Sequence, residues 1–309
     1  MVSNHKSTAI VLVSDFGYID YACFLTYMLR KFDSNLGKVY VLTDGVDNII
    51  FDKKFEGIEA IQIPVEMAKI RSLGVIPQGH VTVSAYAKIL IPEILPKEIS
   101  HAVYLDIDVL PLRSIRPLME FPMHKAIAAT QFANGESRIL FGTDDATYFS
   151  SGILKLDLDR WRENKYSDQL VQLLSRNPRL HYGEQDLLNM YFKENWQLLP
   201  PSFNFMAELS LNAHLWDKAI SPLLVHLVGS RKPWTVRGHT KWHELWRQEY
   251  LLFSSGRDAR ELTLANSDLF IYRFVMGLSR FKCMGIINQM IPKIAKNWIH
   301  RFGEKRRDS

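Results

Sequence analysis

His101-Ala-Val-Tyr-Leu-Asp-Ile-Asp-Val-Leu-Pro111 is the stretch on which the fold turns. An apolar run, Ala102 to Leu105, drives into Asp106 and Asp108, after which apolar residues resume. Such a run predicts a buried parallel strand whose carboxyl end carries two acids. Ligands of open α/β sheets sit at that end of the strands. Residues two apart on an extended backbone project to the same side, so both carboxylates are expected to face one point. Two adjacent carboxylates repel unless a cation or a proton intervenes, and a hard divalent ion with oxygen ligands meets that need. The competing reading of Asp106 and Asp108 is a solvated strand end. A second acid-x-acid, Asp157-Leu-Asp159, runs straight into Arg160-Trp161-Arg162 and predicts a helix N-cap and first turn.

Outward from this strand the chain alternates. Residues 8–14 predict a first strand, closed by Asp15-Phe-Gly17, and 18–32 follow with apolar residues at helical spacing. Residues 38–43 and 58–63 predict two more strands, the latter closed by Pro64, and 83–95 predict a helix feeding the acid-bearing strand. Residues 131–147 read as a loop. A strand at 148–156, helices near 158–176 and 185–192, a late strand at 223–228 and a helix at 241–253 complete the pattern. Alternation of this kind predicts an α/β fold with a mainly parallel, Rossmann-like sheet and flanking helices.

The chain has 309 residues, enough for one large α/β domain and an appendage. With 47% hydrophobic residues it can bury a real core. A net charge of +5 is too small to argue for nucleic acid, which is not an expected partner. Cys23 and Cys283 lack metal-ligand spacing, so a reduced, cytoplasmic setting is expected. The apolar run at residues 9–13 is too short to cross a bilayer and carries no cleavage pattern, so neither a leader nor an anchor is expected at the front.

Four further strings carry chemistry-bearing residues. Asp15-Phe-Gly-Tyr18 lies at the first strand-to-helix turn, where Asp15 can accept from an imide N–H and Tyr18 can stack on a base. An Asx turn capping the first helix is the alternative. The Asp-Phe-Gly triplet has no kinase context, since the glycine-rich loop, lysine strand and catalytic loop would have to precede it. Lys88, on the helix before the acid strand, is either a pyrophosphate contact or a solvated lysine. Ser150-Ser-Gly152 opens a strand, and glycine there permits either a bulge or a close approach. Glu184, Gln185 and Asp186 stand at a helix start, where acids are also favoured by the dipole alone. In Val225-His-Leu-Val-Gly-Ser-Arg-Lys-Pro-Trp234, His226 offers an imidazole to a Mn²⁺-type ion, Gly229 leaves room for phosphate and Lys232 neutralises it.

Taken in order, Val13-Ser-Asp-Phe-Gly-Tyr18, Tyr104-Leu-Asp-Ile-Asp-Val109, Ser151-Gly-Ile, Glu184-Gln-Asp-Leu-Leu-Asn189, Pro201-Ser-Phe-Asn204 and His226-x-x-Gly-x-x-Lys-Pro-Trp234 resemble the retaining glycosyltransferases of family 8. These include lipopolysaccharide and lipooligosaccharide galactosyl- and glucosyltransferases, and the resemblance covers about residues 8–250. It implies a GT-A nucleotide-diphospho-sugar transferase fold, Mn²⁺ (or Mg²⁺), and UDP-galactose or UDP-glucose as donor. By position it implies Asp106, Asp108 and His226 as metal ligands. It also implies Asp15 and Tyr18 as uracil contacts, with Ser14 and Ile107 beside the two acidic motifs among the cofactor contacts. Lys88 stands where the family carries a basic group, and Gly229 and Lys232 match the diphosphate contacts. Glu184 and Gln185 fall beneath the anomeric carbon, Asp186 follows as the acid of the same motif, and His80 corresponds to an acceptor-side histidine. Gln185, being neutral, is a poor nucleophile, so same-face attack assisted by the leaving phosphate is expected, with Asp186 as the fallback nucleophile. Ser150 replaces the family's usual asparagine and Glu184 lengthens its usual aspartate. Both positions help to read the sugar.

A catalytic domain is therefore expected over residues 1–260 and a basic amphipathic tail over 261–309. Residues 269–303 contain no Asp or Glu, yet carry six Lys and Arg interleaved with aromatic and aliphatic residues. That pattern predicts helices docking on an anionic membrane surface, on the cytoplasmic face of the inner membrane, near a lipid-linked or oligosaccharide acceptor. A helical pair packed on the catalytic domain is the alternative. The expected activity is hexose transfer from a UDP-sugar to a glycan, lipopolysaccharide core or another cell-surface glycan. A metal-dependent nucleotidyl- or phosphotransferase would need a glycine-rich phosphate loop after the first strand, which Asp15-Phe-Gly-Tyr18 does not supply. A catalytically inactive, membrane-associated nucleotide-sugar-binding protein is the third reading.

Overall fold

The computed structural model describes residues 7–44, 60–65, 67–75, 82–132, 142, 147–206, 221–235, 238 and 240–255. Its contacts divide the chain into two units, Met1–Arg247 and Gln248–Ser309. The second unit contributes only residues 248–255 to the described set, the last turns of one helix. His80 and the basic tail lie outside the described residues, as does most of the 131–147 loop.

Among the described residues, ten strands appear in chain order: β1 (Ser7–Ser14), β2 (Val39–Asp44), β3 (Ala60–Val65), β4 (Ile99–Leu105), β5 (Val109–Pro111), β6 (Ile127–Gln131), β7 (Phe149–Asp157), β8 (Gln197–Leu198), β9 (Phe205–Met206) and β10 (Leu224–His226). The helices are α1 (Ile19–Phe32), α2 (Ala68–Ser72), α3 (Ile91–Ile94), α4 (Arg116–Met119), α5 (Leu158–Asn164), α6 (Tyr166–Arg176), α7 (Glu184–Phe192) and α8 (Lys241–Ser255). Seven strands form one sheet in the order β3-β2-β1-β4-β7-β6-β8, and β5-β10-β9 form a second. The large sheet is mainly parallel, as the alternating pattern predicts. Of its described strands β7 alone runs against its neighbours, pairing antiparallel with β4 and β6.

Burial explains the apolar runs. Ile10, Val11 and Leu12 of β1 and Val103 and Leu105 of β4 are wholly buried, and every residue of β7 is buried. Helices cover the sheet, so no clean apolar-polar alternation is needed along its inner strands.

Several boundaries differ from the sequence pattern for identifiable reasons. Residues 83–95 form a 3-10 helix, Val83–Leu90, followed by the single turn of α3. Pro92 stands at the start of α3, where its missing N–H costs nothing. The helix expected over 158–176 is two helices, broken at Lys165, whose φ of 52° is left-handed. A lysine in that conformation leaves no compositional trace. Pro64 lies inside β3 rather than ending it, which an edge strand tolerates. The short strands β5, β6, β8 and β9 carry too few residues to show a period.

The apolar residues after Asp108 do not continue β4. The chain turns at residues 106–108, with the Val109 N–H donating to the Asp106 carbonyl at 3.2 Å, and enters the second sheet as β5. The two acids therefore converge because they occupy a turn joining two sheets, not because a strand alternates.

Candidate active site

Three elements meet at the carboxyl end of the parallel strands. β1 ends at Ser14 beside Asp15, and β4 ends at Leu105 beside Asp106. Because β7 is antiparallel, its beginning lies there too: Leu105 pairs with Ile153, and the Asp106 N–H donates to the Gly152 carbonyl at 2.8 Å. From the second sheet, β10 pairs His226 with Val109, and the Leu227 N–H donates to the Asp108 carbonyl at 3.1 Å. A cleft of about 520 Å³ opens over this junction. Its lining includes Ser14, Asp15, Tyr18, Asp106, Ile107, Asp108, Ser150, Glu184, Gln185, His226, Gly229 and Lys232, twelve of the residues singled out by sequence. Lys88 and Asp186 are packed behind the lining, and His80 is not among the described residues.

Asp106, Asp108 and His226 each bring one ligand atom within 4.8 Å of the others. His226 Nε2 is 3.6 Å from Asp106 Oδ2 and 3.2 Å from Asp108 Oδ1. The Asn204 side-chain oxygen, which only accepts, lies 3.1 Å from His226 Nδ1, so Nδ1 carries the proton and Nε2 presents a lone pair. Asp108 Oδ1 is buried without a hydrogen-bond donor among the described residues. Three acceptors thus face one another, an arrangement that a divalent cation satisfies. This donor set of two carboxylate oxygens and one imidazole fits Mn²⁺ or Mg²⁺.

The surroundings fix these ligands. Tyr104 donates its hydroxyl to Asp106 Oδ1, and Lys232 donates to Asp108 Oδ2. Burial pushes the Asp108 carboxyl up, but positive charge beside it, the Lys232 ammonium foremost, holds it below the usual carboxylate range. Gly152 resolves the choice between bulge and close approach. A Cβ there would stand 2.0 Å from His226 Cε1 and 2.8 Å from Asp106 Oδ2, so the imidazole lies directly over a bare backbone.

Lys88 is 2% exposed, so it is not a solvated lysine. Its Nζ donates to Glu184 Oε1 at 2.7 Å, lies 3.6 Å from Asp106 Oδ1 and sits 4.5 Å from the centre of the Tyr104 ring. Burial lowers its affinity for a proton, but Asp106 and Glu184 outweigh that and keep it above the ordinary lysine value. Glu184 Oε2 is buried with no hydrogen-bond partner among the described residues. Gln185 reaches the cleft with both ends held: Ser151 N–H donates to Oε1 at 3.0 Å, and Nε2 donates to the Tyr148 hydroxyl at 3.1 Å. Asp186 accepts from the Tyr148 hydroxyl at 2.6 Å and from the Tyr182 N–H at 2.8 Å, so each of its oxygens has a donor.

Asp15 does not cap α1 through its side chain. Its carbonyl accepts from the Tyr18 N–H at 3.0 Å, and α1 begins without a side-chain cap. Tyr18 is 40% exposed, with its ring centre 5.5 Å from that of Trp234. Gly229 has a φ of +85°, and a Cβ on it would meet nothing within 4 Å, so the backbone there is open as well as left-handed. The second acid-x-acid behaves as its context predicts: Asp157 caps α5, accepting from the Arg160 N–H at 3.0 Å.

Sequence reasoning missed Tyr104, Tyr148 and Tyr182, whose roles depend on hydroxyl and backbone groups meeting across strands. Asn204 stood in a quoted string, but only the parallel pairing of His226 with Met206 shows that it orients the imidazole.

The chain is similar to known proteins over most of its length. The model of glycosyl transferase family 8 matches residues 9–237. Glycosyltransferase GlyB of Streptococcus pneumoniae serotype 4 (strain ATCC BAA-334 / TIGR4) is 26% identical over 229 residues, covering 69% of this chain and 54% of GlyB. The chain thus spans about half of that relative's length. General stress protein A of Bacillus subtilis (strain 168) is 26% identical over 238 residues, covering 71% of this chain and 82% of its own. A lipopolysaccharide 1,2-glucosyltransferase of Escherichia coli (strain K12) is 26% identical over 212 residues, 63% of each chain. An active-site mutant of LgtC superposes with a TM-score of 0.67 at 20% identity, covering 78% of this chain and 94% of its own. The galactosyltransferase LgtC in complex with donor and acceptor sugar analogues gives 0.63 at 22%, covering 78% and 95%. The structural likeness is one of fold, the GT-A arrangement.

Proposed function

This chain belongs to glycosyl transferase family 8, and from that premise we propose that it is a retaining, metal-dependent hexosyltransferase. It moves galactose or glucose from a UDP-sugar to a glycan acceptor, lipopolysaccharide core or another cell-surface glycan. One observation carries the reading: two carboxylates on the turn between the sheets and an imidazole at the end of β10 converge within 4.8 Å in the cleft that also holds Gln185 and Lys232.

The residues divide the work. Asp15 and Tyr18 receive the uracil at the end of β1. Asp106, Asp108 and His226 would hold a divalent ion, which when bound would supply Lewis-acid stabilisation of the departing diphosphate. Cleavage of the anomeric C–O bond leaves its electron pair on that diphosphate. Lys232 places a fixed positive charge where this charge develops, and preorganised charge of this kind is usually the largest contribution to catalysis. Gly229, with its open backbone, admits the phosphate oxygens. Glu184 Oε2 and Ser150 face the sugar hydroxyls, and Gln185 holds its amide beneath the anomeric carbon. The acceptor hydroxyl attacks on the face that the diphosphate leaves, and a departing phosphate oxygen takes its proton. Asp186, with an oxygen committed to each of Tyr148 and Tyr182, positions Gln185 rather than attacking.

The test is UDP release from a panel of UDP-sugars with and without Mn²⁺. Release from UDP-galactose or UDP-glucose that depends on the metal is expected. Donor binding without any turnover, on every acceptor glycan offered, would instead identify a nucleotide-sugar-binding protein. Association with the cytoplasmic face of a membrane belongs to the same proposal, since six basic residues at about 1 kcal/mol each suffice for reversible docking. Sedimentation with anionic vesicles is expected. Unchanged sedimentation after removal of residues 269–309 would exclude the tail as its cause.

A further inference from the structure

The family match ends at residue 237, and α8 begins at Lys241. Two side chains one turn apart on α8 reach back to the segment that carries Lys232. His243, wholly buried, has Nε2 2.8 Å from the Arg231 carbonyl. A carbonyl only accepts, so Nε2–H is the donor, and Nδ1 accepts from the Thr240 hydroxyl at 2.7 Å. Arg247 donates through Nε to the Pro233 carbonyl at 2.9 Å, and through Nη2 to the carbonyls of Thr235 at 2.6 Å and Gly238 at 2.8 Å. The residues on either side of Lys232 are therefore each held, by their carbonyls, from one helix face. The Lys232 carbonyl itself closes a turn, accepting from the Thr235 N–H at 2.9 Å and the Thr235 hydroxyl at 2.8 Å. Gly238 belongs to the same construction, because a Cβ on it would stand 2.1 Å from the His243 ring. Trp234 adds a third anchor, stacked on Tyr21 of α1 at 4.3 Å and 8°.

We propose that His243 and Arg247 are positioning residues for the diphosphate: they fix the backbone from which Lys232 projects, so that its ammonium is delivered to one place in the cleft. The inference rests on the reading of Lys232 given above. Its physical basis is geometric. Carbonyls at 231, 233, 235 and 238 point at one helix, and the planar fork of arginine spans three of them. A lysine ammonium is a single point charge and cannot do this. Misplacement of a charged group by about 1 Å costs on the order of a hundredfold in rate, so the pivot matters as much as the ammonium.

The experiment is a double-mutant cycle on the full chain, read by calorimetric UDP affinity with Mn²⁺ present and by kcat and KM for UDP release. Arg247→Ala is expected to weaken UDP binding about tenfold, with Lys232→Ala weakening it at least as much. In the Lys232→Ala background, Arg247→Ala is expected to change UDP affinity by no more than about twofold, because the group it positions is gone. Arg247→Lys should behave like Arg247→Ala, and His243→Gln, which keeps an N–H donor near the Arg231 carbonyl, should recover most of what His243→Ala loses. An equal loss from Arg247→Ala in both backgrounds, or no loss in the wild-type background, overturns the proposal. Should Arg247→Ala lack a cooperative melt, Arg247→Lys takes its place in the cycle under the same criteria. A wild-type chain that binds no UDP with Mn²⁺ fails the functional reading itself, an outcome distinct from an additive cycle in a chain that does bind.

Discussion

Two buried polar clusters flank the cleft, and they solve opposite problems. Around Asp106, Asp108 and His226, acceptors face acceptors, and Asp108 Oδ1 is buried without a donor among the described residues. At the start of α7, donors and acceptors match. Asp186 accepts from Tyr148 and Tyr182, Gln185 bridges Ser151 and Tyr148, and Asn189 accepts from the Phe149 N–H at 2.8 Å while donating to the Phe149 carbonyl at 2.9 Å. An unmatched buried group costs free energy in the empty fold, whereas a matched network contributes to it. The first cluster is therefore maintained for what it binds, and the second for what it holds in place. Substitutions should separate them by readout: activity and metal affinity on one side, stability on the other.

The largest effect is expected at Asp108. Asp108→Asn removes one charge from the triad and should lower kcat/KM for UDP release by about a thousandfold, in the range seen when a principal electrostatic group is lost. Its melting temperature without metal should fall only slightly, because the amide oxygen can still accept from Lys232 and relief of the repulsion with Asp106 offsets part of the lost ion pair. A large drop in stability would break the contrast. Asp186→Ala comes next, on the opposite side. It leaves the Tyr148 hydroxyl and the Tyr182 N–H unmatched and should destabilise by about 3 kcal/mol in denaturant unfolding. Asp186→Asn keeps the carbonyl acceptor for one of them and should lose about half as much. If Asp186→Asn instead abolishes turnover with full stability, Asp186 acts on the sugar and the two clusters are alike in kind.

This division was only partly legible in the amino-acid sequence. Composition sufficed where one residue type has one use. The apolar runs at residues 9–13 and 102–105 gave β1 and β4, and acids on either side of Ile107 gave the ligand pair. The same spacing misled on cause, because strand alternation and a turn both bring residues 106 and 108 together. Periodicity was silent on β5 and β9, strands of two or three residues, yet these flank β10, which lies within the strand expected at 223–228 and delivers His226 to the acids. Glu184 and Asp186 looked equivalent as acids at a helix start. Only their partners, Lys88 for one and two tyrosines for the other, distinguish them. The break at Lys165 had no signal at all, since its left-handed φ occurs at a residue that ordinarily continues a helix.

Smaller effects probe the support of the metal side. Gly152→Ala drives a methyl group against the His226 ring and should lower Mn²⁺ affinity about a hundredfold, within what displacement of a ligand's supporting group costs. Asn204→Ala is the milder test. Asn204 acts on the triad through its imidazole: it accepts from His226 Nδ1 and so keeps the proton off Nε2. Without it the imidazole is free to choose its tautomer, and metal binding must select the productive one. Mn²⁺ affinity should fall about tenfold, with kcat at saturating metal nearly unchanged. Asn204→Asp, which also accepts from Nδ1, should retain wild-type affinity or exceed it. A loss in Asn204→Asp equal to that in Asn204→Ala would mean that the side chain packs rather than orients. The metal cluster would then be less specialised for binding than the unmatched acceptors at its centre imply.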